Sequence, residues 1–249
     1  MLRDKLPAHL GDAVIRIGVA CVAVQVALFV GVYWVAPPLF TAIWSDWLAV
    51  SWPNVASLHL WTLLSYGFVH DLTSPMHLLF NLVGLYFLAP DLERRWGSRG
   101  FWHFWLVAIG VGGLFTVIAQ LFGLNPAPTV GASAGVMGLL AAWSWLFPQR
   151  RILLMFIFPI QVRWALPLAV GLDLIFAISG SDTAVAAHLG GVAGAWLVLN
   201  GWTRPRLVRT RWIAWKSGRH RQKTRSRMHV IQGGKSDEKA ARDDDQMVN

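Results

Sequence analysis

Long, charge-poor apolar stretches are the feature of this sequence that most limits its fold. Six can be marked, at 16–36, 76–90, 101–122, 132–147, 164–179 and 184–202. A helical membrane crossing needs about 20 mainly apolar residues, and these stretches are long enough or nearly so. The fifth is less clean, because it follows Arg163 and contains Asp173. Only 14% of the residues are charged, against about a quarter in soluble domains. The sequence therefore predicts an all-α membrane protein with six transmembrane helices.

The same stretches give the predicted organisation of the chain. Residues 16–202 form the membrane domain, with a cytoplasmic segment 1–15 before it and a basic cytoplasmic tail, 203–249, after it. The first apolar run is longer than the h-region of a signal peptide, so we expect a retained helix. The run 152–160 is apolar but too short to cross, and Pro159 ends it. We expect an interfacial or buried connector there.

Every Lys and Arg falls on one face of this predicted domain. The N-terminal segment through Arg16, the 91–100 connection and the 148–163 connection hold three each, and the tail holds thirteen of the 22. The connections on the opposite face, 37–75, 123–131 and 180–183, hold none. Positive charge accumulates on the cytoplasmic side of membrane proteins. Both termini are therefore predicted to be cytoplasmic.

The basic tail contains the run RPRLVRTRWIAWKSGRHRQKTRSR, which has ten positive charges and two tryptophans. A basic segment that leaves a membrane helix on the cytoplasmic side meets anionic lipid first. We therefore expect lipid contact and a topology signal, and no nucleic-acid binding. The final GGKSDEKAARDDDQMVN is polar and mixed in charge, so we expect it to be disordered.

Three of the predicted helices run from outside to inside, and each has polar residues at its outer, N-terminal end. His77 and Asn81 in MHLLFN lie one helical turn apart, Ser133 lies in GASAG, and His188 lies in AAHLGG. Each has an ordinary explanation as a cap, a packing residue or a helix cross-link. Ionisable groups are costly inside a membrane, however, so their convergence at one depth favours a functional site.

The chemistry of these residues points to acyl transfer to water. GASAG matches the G-x-S-x-G elbow of soluble hydrolases, but the composition argues strongly against a soluble fold. A Ser hydroxyl becomes reactive when an imidazole takes its proton, so His188 is the candidate base for Ser133 and the later acid. The N–H of Ser133, the Asn81 amide and His77 are candidate oxyanion donors. Asp173 is expected to make a helix–helix hydrogen bond, with a third triad member as the alternative.

Neither a metal nor another cofactor is predicted. The single cysteine, Cys21, excludes an internal disulfide and any cysteine-built metal site. His59 and His70 lie in the first outer segment, residues 37–75, and have no Cys or carboxylate cluster beside them. The tryptophans of that segment are expected to be interfacial anchors, with a part in a substrate gate as the alternative.

Three segments, in order, resemble the rhomboid family of intramembrane serine proteases: MHLLFNLVGLYFLAPDLERRWGSRGFW, GASAGVMGLL and AHLGGVAGAWL. The resemblance covers about 58–202. It implies a six-helix rhomboid-like bundle with Ser133 as nucleophile, His188 as dyad base, His77 and Asn81 as oxyanion partners, and no catalytic Asp or cofactor. It also implies that the substrates are transmembrane proteins, cut near the outer end of a transmembrane segment, by a multi-pass protein of the cytoplasmic (inner) membrane.

The sequence departs from the family pattern at three places. Ala134 stands where the family usually has Gly, and Met137 stands where an aromatic residue commonly packs under the histidine. Trp61-Thr62 lacks the Arg of a frequent aromatic–Arg pair. A proteolytically inactive rhomboid-like protein that binds membrane clients is the alternative function, and a transporter with a polar site is a third.

Overall fold

A computed structural model describes residues 10–124, 127–154, 157–178, 184–204, 207, 208 and 210. The 180–183 connection, the first nine residues and nearly all of the basic tail lie outside the described residues. The chain divides into two compact units between Thr203 and Arg204, and every element named below belongs to the first.

The described residues form helices joined by short connections and one small sheet. The elements are α1 (Asp12–Val30), α2 (Pro37–Ala42), α3 (Trp52–Ala56), α4 (Thr62–Ser65), α5 (Pro75–Leu121), α6 (Ser133–Leu146), β1 (Arg151–Leu154), β2 (Phe158–Gln161), α7 (Val162–Ile178) and α8 (Val185–Leu199). π-Helical turns follow α1 at Gly31–Val35 and α2 at Ile43–Leu48, and a 3₁₀ turn at Tyr66–Phe68 follows α4.

Two of the helical segments, Asp12–Val35 and Pro75–Leu121, are long and apolar enough to cross a membrane. Helices α6 and α8 are shorter and also apolar. The predicted crossings 76–90 and 101–122 correspond to two helices that meet within α5 at Gly97, and both helices extend into the expected connection 91–100. Only Gly97 leaves helical geometry there, at φ 68°, a backbone conformation that glycine adopts without steric cost. Its ψ of 164° is also far from helical, so one helix ends before Gly97 and a second begins after it.

The apolar connector 152–160 is a β-hairpin. Strands β1 and β2 pair antiparallel, with Arg151 opposite Gln161. Leu153, Ile157 and Phe158 are exposed, so a buried connector was the wrong alternative. This hairpin also makes the fold mostly, but not entirely, helical.

Helices α5, α6 and α8 pack around small residues. A Cβ on Gly112 would lie 2.7 Å from the Cβ of Ala134, and one on Gly194 would lie 2.8 Å from the Cα of Ala108. Small residues let helix backbones approach closely, which is the main source of helix association in membranes. Trp105 is fully buried beside this contact, where a Cβ on Gly135 would meet its ring.

Helix α1 is attached to the core through the buried carboxylate of Glu93. The backbone N–H groups of Ala13 and Val14 donate to Glu93 at 2.9 and 3.0 Å, and the Ser98 hydroxyl donates at 2.6 Å. First-turn N–H groups have no partner within their own helix. The carboxylate therefore caps α1 and links it to the bend at Gly97.

Backbone hydrogen bonds connect the first outer segment to the chain before α6. Val50 and Thr129 exchange two of them, at 3.0 and 2.8 Å. The N–H of Gly131 donates to the carbonyl oxygen of Tyr66 at 2.9 Å. The Tyr66 hydroxyl in turn donates to the Ile109 carbonyl of α5 at 2.9 Å. These contacts fix where α6 begins.

Candidate active site

The four residues predicted from sequence line one cavity of about 650 Å³. His77 and Asn81 reach it from the start of α5, Ser133 is the first residue of α6, and His188 lies in the first turn of α8. The structure therefore brings all four side chains together, at the N-terminal ends of three helices.

Gly131 forms the tight turn before Ser133. Its φ of 126° is a conformation that residues with a Cβ rarely adopt. A Cβ there would also lie 2.6 Å from His77 Nε2 and 3.6 Å from Ser133 Oγ. These two atoms therefore flank the same small space, which stays open because residue 131 is glycine.

His70 positions the turn from the other side. It is fully buried, and its Nε2 accepts a hydrogen bond from the N–H of Ala132 at 3.3 Å. Burial, helped by the nearby His77, lowers the pKa of His70 to about 3. The ring is therefore neutral at ordinary pH and can accept this bond. Sequence reasoning missed this role, because nothing in the local pattern distinguishes His70 from an interfacial histidine.

The protonated nitrogen of His77 can be inferred from its contacts. The N–H of Asp71 donates to His77 Nδ1 at 3.4 Å, a long hydrogen bond. A neutral imidazole carries one N–H, so the proton is on Nε2, the nitrogen beside Gly131 and Ser133. His77 therefore presents a donor to the cavity.

The short loop before α5 holds Asp71 in place. Its carboxylate accepts hydrogen bonds from the N–H and the hydroxyl of Thr73, both at 2.7 Å. Partial burial alone raises the pKa of Asp71, but the Thr73 hydrogen bonds, together with smaller effects of His77 and Ser74, outweigh it and hold the pKa below its usual value. The ionised carboxylate fixes the loop conformation that aims the Asp71 N–H at His77.

Asn81 is buried and lies one turn after His77. Its side-chain nitrogen donates to the His77 carbonyl oxygen of the same helix at 2.7 Å. An amide nitrogen carries two N–H groups, so the second remains for an acceptor in the cavity. This geometry suits an oxyanion donor and fixes the orientation of the amide.

His188 is joined to Asp173 of α7. Nδ1 of His188 and Oδ2 of Asp173 are 2.6 Å apart, and the two side chains are 14% and 16% exposed. The prediction that Asp173 makes a helix–helix hydrogen bond is confirmed. Because a carboxylate accepts here, Nδ1 carries the proton and Nε2 is an acceptor.

The methyl group of Ala134 points away from the cavity. Ala134 is fully buried, its Cβ faces Gly112, and its backbone carbonyl faces Gly191 of α8. It is not among the residues that line the cavity, and neither is the buried Met137. The departure from the family pattern at Ala134 therefore places no extra atom beside Ser133.

His59 and most tryptophans of the first outer segment do not line the cavity. His59, Trp47 and Trp61 form a cluster of three rings, in which the His59 centroid is 4.8 Å from each tryptophan and the two tryptophan centroids are 5.6 Å apart. Trp44 is the tryptophan of this segment that lines the cavity, and its ring N–H donates to the His70 carbonyl oxygen at 3.1 Å.

A family model described as a rhomboid domain matches residues 57–203, which include every residue of the cavity except Trp44. The chain belongs to the rhomboid family. This family is membrane-embedded, which agrees with the two long apolar helical segments. The recognition made from three short segments of the sequence is thereby confirmed.

Several curated rhomboid relatives match this chain. It is 35% identical over 156 residues to "Rhomboid protease GlpG" of Yersinia enterocolitica, covering 59% of this chain and 50% of that protein. It is 28% identical over 178 residues to "RHOMBOID-like protein 12, mitochondrial" of Arabidopsis thaliana, covering 65% of this chain and 51% of that protein. It is 30% identical over 140 residues to "Rhomboid protease GluP" of Bacillus subtilis, covering 56% of this chain and 25% of that protein. The matched region is about half the length of these relatives or less.

Proposed function

We propose that this rhomboid is an intramembrane serine endopeptidase that cuts transmembrane segments of other membrane proteins in or near their outer end. The observation that carries the proposal is the shared cavity of Ser133, His188, His77 and Asn81. Relatives named as proteases support the same activity at the level of the family.

The hydrogen bonds of the site suit each step of peptide hydrolysis. Ser133 Oγ attacks the scissile carbonyl carbon while its proton passes to Nε2 of His188. The C–N bond then breaks, the proton moves from His188 to the leaving amine, and an acyl-enzyme remains. Water, activated by His188, attacks the acyl carbon and releases Ser133.

Three donors at the cavity are proposed to stabilise the developing oxyanion. They are the Nε2–H of His77, the free amide N–H of Asn81 and the backbone N–H of Ser133 at the start of α6. A helix N-terminus also favours negative charge through its unpaired N–H groups. Each such donor typically contributes about 2.7–4 kcal/mol to the stability of the transition state.

Hydrolysis in a membrane also needs water, and the cavity can supply it. Its volume of about 650 Å³ is far more than a single water molecule needs. The lining is part polar, with Asp71, Thr129 and the four candidate residues, so water has partners there.

The topology completes the proposal. Six crossings, formed by α1, the two halves of α5, α6, α7 and α8, would place both termini and the basic tail in the cytoplasm. The site would then open to the extracytoplasmic side of the cytoplasmic (inner) membrane. The tail would contact anionic lipid, and the reaction needs no cofactor.

The test uses the purified full chain in liposomes with a model transmembrane substrate. Ser133→Ala and His188→Ala should abolish cleavage and covalent labelling by a fluorophosphonate. The matched controls are Ser45→Ala and His103→Ala, since both residues lie outside the cavity. His77→Ala and Asn81→Ala should each lower kcat by about 10²- to 10³-fold.

Two results would overturn this proposal. One is cleavage by Ser133→Ala or His188→Ala at the rate of the controls. The other is a folded wild-type protein that neither cleaves nor is labelled. That second result would favour the inactive, client-binding function instead.

A further inference from the structure

We propose that Asp173 is a positioning residue for His188, so that the site works as a Ser–His–Asp arrangement built across α6, α8 and α7. The inference rests on the proposed function, in which His188 is the base for Ser133. It goes beyond the resemblance, which implies a dyad without a catalytic Asp.

The first support is the contact itself. The Nδ1–Oδ2 distance of 2.6 Å is that of a close hydrogen bond, just below the usual range of about 2.7–2.9 Å for a charge-assisted N–H···O bond. Both side chains are largely shielded from solvent, where such a bond is stronger than at an open surface. Among the described residues, Asp173 is the hydrogen-bond partner of the His188 side chain.

The second support is the setting of Asp173 in its helix. Arg163 and Asp173 are the charged residues of α7, and Arg163 lies at the helix start. A carboxylate inside an apolar membrane helix is costly, and a Ser or Thr could make a simple helix–helix link at lower cost. A carboxylate offers more than a link, because only it can stabilise a neighbouring positive charge.

The third support is the side of α7 on which Asp173 lies. Leu172, Leu174 and Ile175, on other sides of the helix, are 42%, 47% and 58% exposed within the chain, whereas the Asp173 side chain is 16% exposed. Asp173 therefore lies on the side of α7 that faces the other helices, where its carboxylate meets His188 of α8.

The contact has two consequences for the reaction. By accepting from Nδ1–H, Asp173 selects the tautomer in which Nε2 is free to take the proton of Ser133. When that proton arrives, the imidazolium lies beside an ionised carboxylate, which stabilises it. Asp173 itself stays ionised, and the proton passes from Nε2 to the leaving amine, as in soluble Ser–His–Asp hydrolases.

The test compares three variants of the full chain in liposomes: Asp173→Asn, Asp173→Glu and the matched control Asp91→Asn. Asp91 makes an exposed ion pair with Arg150 and lies outside the cavity. We expect Asp173→Asn to lower kcat by roughly 10- to 1000-fold with little change in KM, since the lost effect acts in the transition state. Asp173→Glu should recover part of kcat, and Asp91→Asn should match wild type.

A second readout is independent of substrate. In ¹⁵N-histidine NMR, with His188→Gln to assign the signals, wild type should show His188 protonated at Nδ1. Asp173→Asn should shift the tautomer toward Nε2–H, because the amide N–H of Asn can donate to Nδ1. Thermal unfolding of each variant identifies the temperature range in which all of them are folded, and both readouts are taken there.

The outcomes separate this inference from the proposed function. An Asp173→Asn variant as active as Asp91→Asn, or an unchanged tautomer, would overturn the role of Asp173 and leave the Ser133–His188 dyad in place. A folded wild type that neither cleaves nor reacts with the fluorophosphonate would overturn the protease function, and the role of Asp173 with it.

Discussion

Replacing Gly191 by Ala tests whether the contact between α6 and α8 sets the distance between nucleophile and base. Gly191 lies three residues after His188 on α8 and faces the backbone of Ala134, the residue after Ser133. A Cβ on Gly191 would lie 2.7 Å from the carbonyl carbon and 3.0 Å from the Cα of Ala134, and closer still to its carbonyl oxygen. All of these atoms are backbone, so none can rotate away.

The size of the effect follows from these distances. Carbon atoms in contact are normally about 3.5–4.0 Å apart, so the two helices must separate by roughly 1 Å. Overpacking of this kind costs about 1–3 kcal/mol. A displacement of about 1 Å between reacting groups can lower a rate by about 100-fold. We expect Gly191→Ala to lose both stability and kcat.

Gly171→Ala in α7 is the matched control, because a Cβ there would have no atom within 4 Å. The gain in helix propensity from Gly to Ala, about 1 kcal/mol, is similar in both variants, so their difference isolates the clash. The assays are reversible unfolding in mixed micelles and the cleavage rate in liposomes. Equal stability and equal kcat for the two variants would refute the argument that this contact positions the site.

Two further predictions concern stability. Glu93→Gln should cost about 1.5–3 kcal/mol in the free energy of unfolding, because one oxygen that caps α1 becomes an N–H donor. The control Asp91→Asn, at an exposed ion pair, should cost under about 1 kcal/mol. Equal losses of the two variants in mixed-micelle unfolding would contradict this prediction. The pKa of His70 is about 3 in the folded protein, below its ordinary value of 6.5. Between pH 6.5 and about 3 the unfolded chain therefore binds a proton at His70 that the folded protein does not, so stability falls as the pH drops. The loss should reach about 1.4 kcal/mol per pH unit and be absent in His70→Gln; the same acid slope in both proteins would refute it.

The helices and the four candidate residues could be predicted because their signals are local. His77 and Asn81 are one helical turn apart, which places them on one face whatever the rest of the fold does. Ser133 and His188 each lie near the start of an apolar segment, and the asymmetry of charge gave those segments a common direction. The position of each candidate residue along its helix is therefore readable from one sequence.

The remaining features depend on contacts between distant segments. The break at Gly97 is shorter than the predicted connection 91–100, because a single glycine with positive φ allows a turn that composition does not reveal. The bond from Ala132 to His70 joins residues 62 apart in sequence. The Asp173–His188 contact depends on the rotation of α7 about its axis, and a nearly uniform apolar helix carries little signal for that rotation.

The contact of Ala134 with two glycines on neighbouring helices shows how the fold accommodates a departure from the family pattern. The fold needs room where α6 meets α5 and α8, and either side of the contact can supply it. Here Gly112 and Gly191 leave the space that the methyl and the carbonyl of Ala134 occupy. The requirement for a small residue therefore belongs to the pair of facing positions and to neither one alone. A sequence read one segment at a time assigns the whole requirement to the position after Ser133, whereas in the structure the facing glycines meet it.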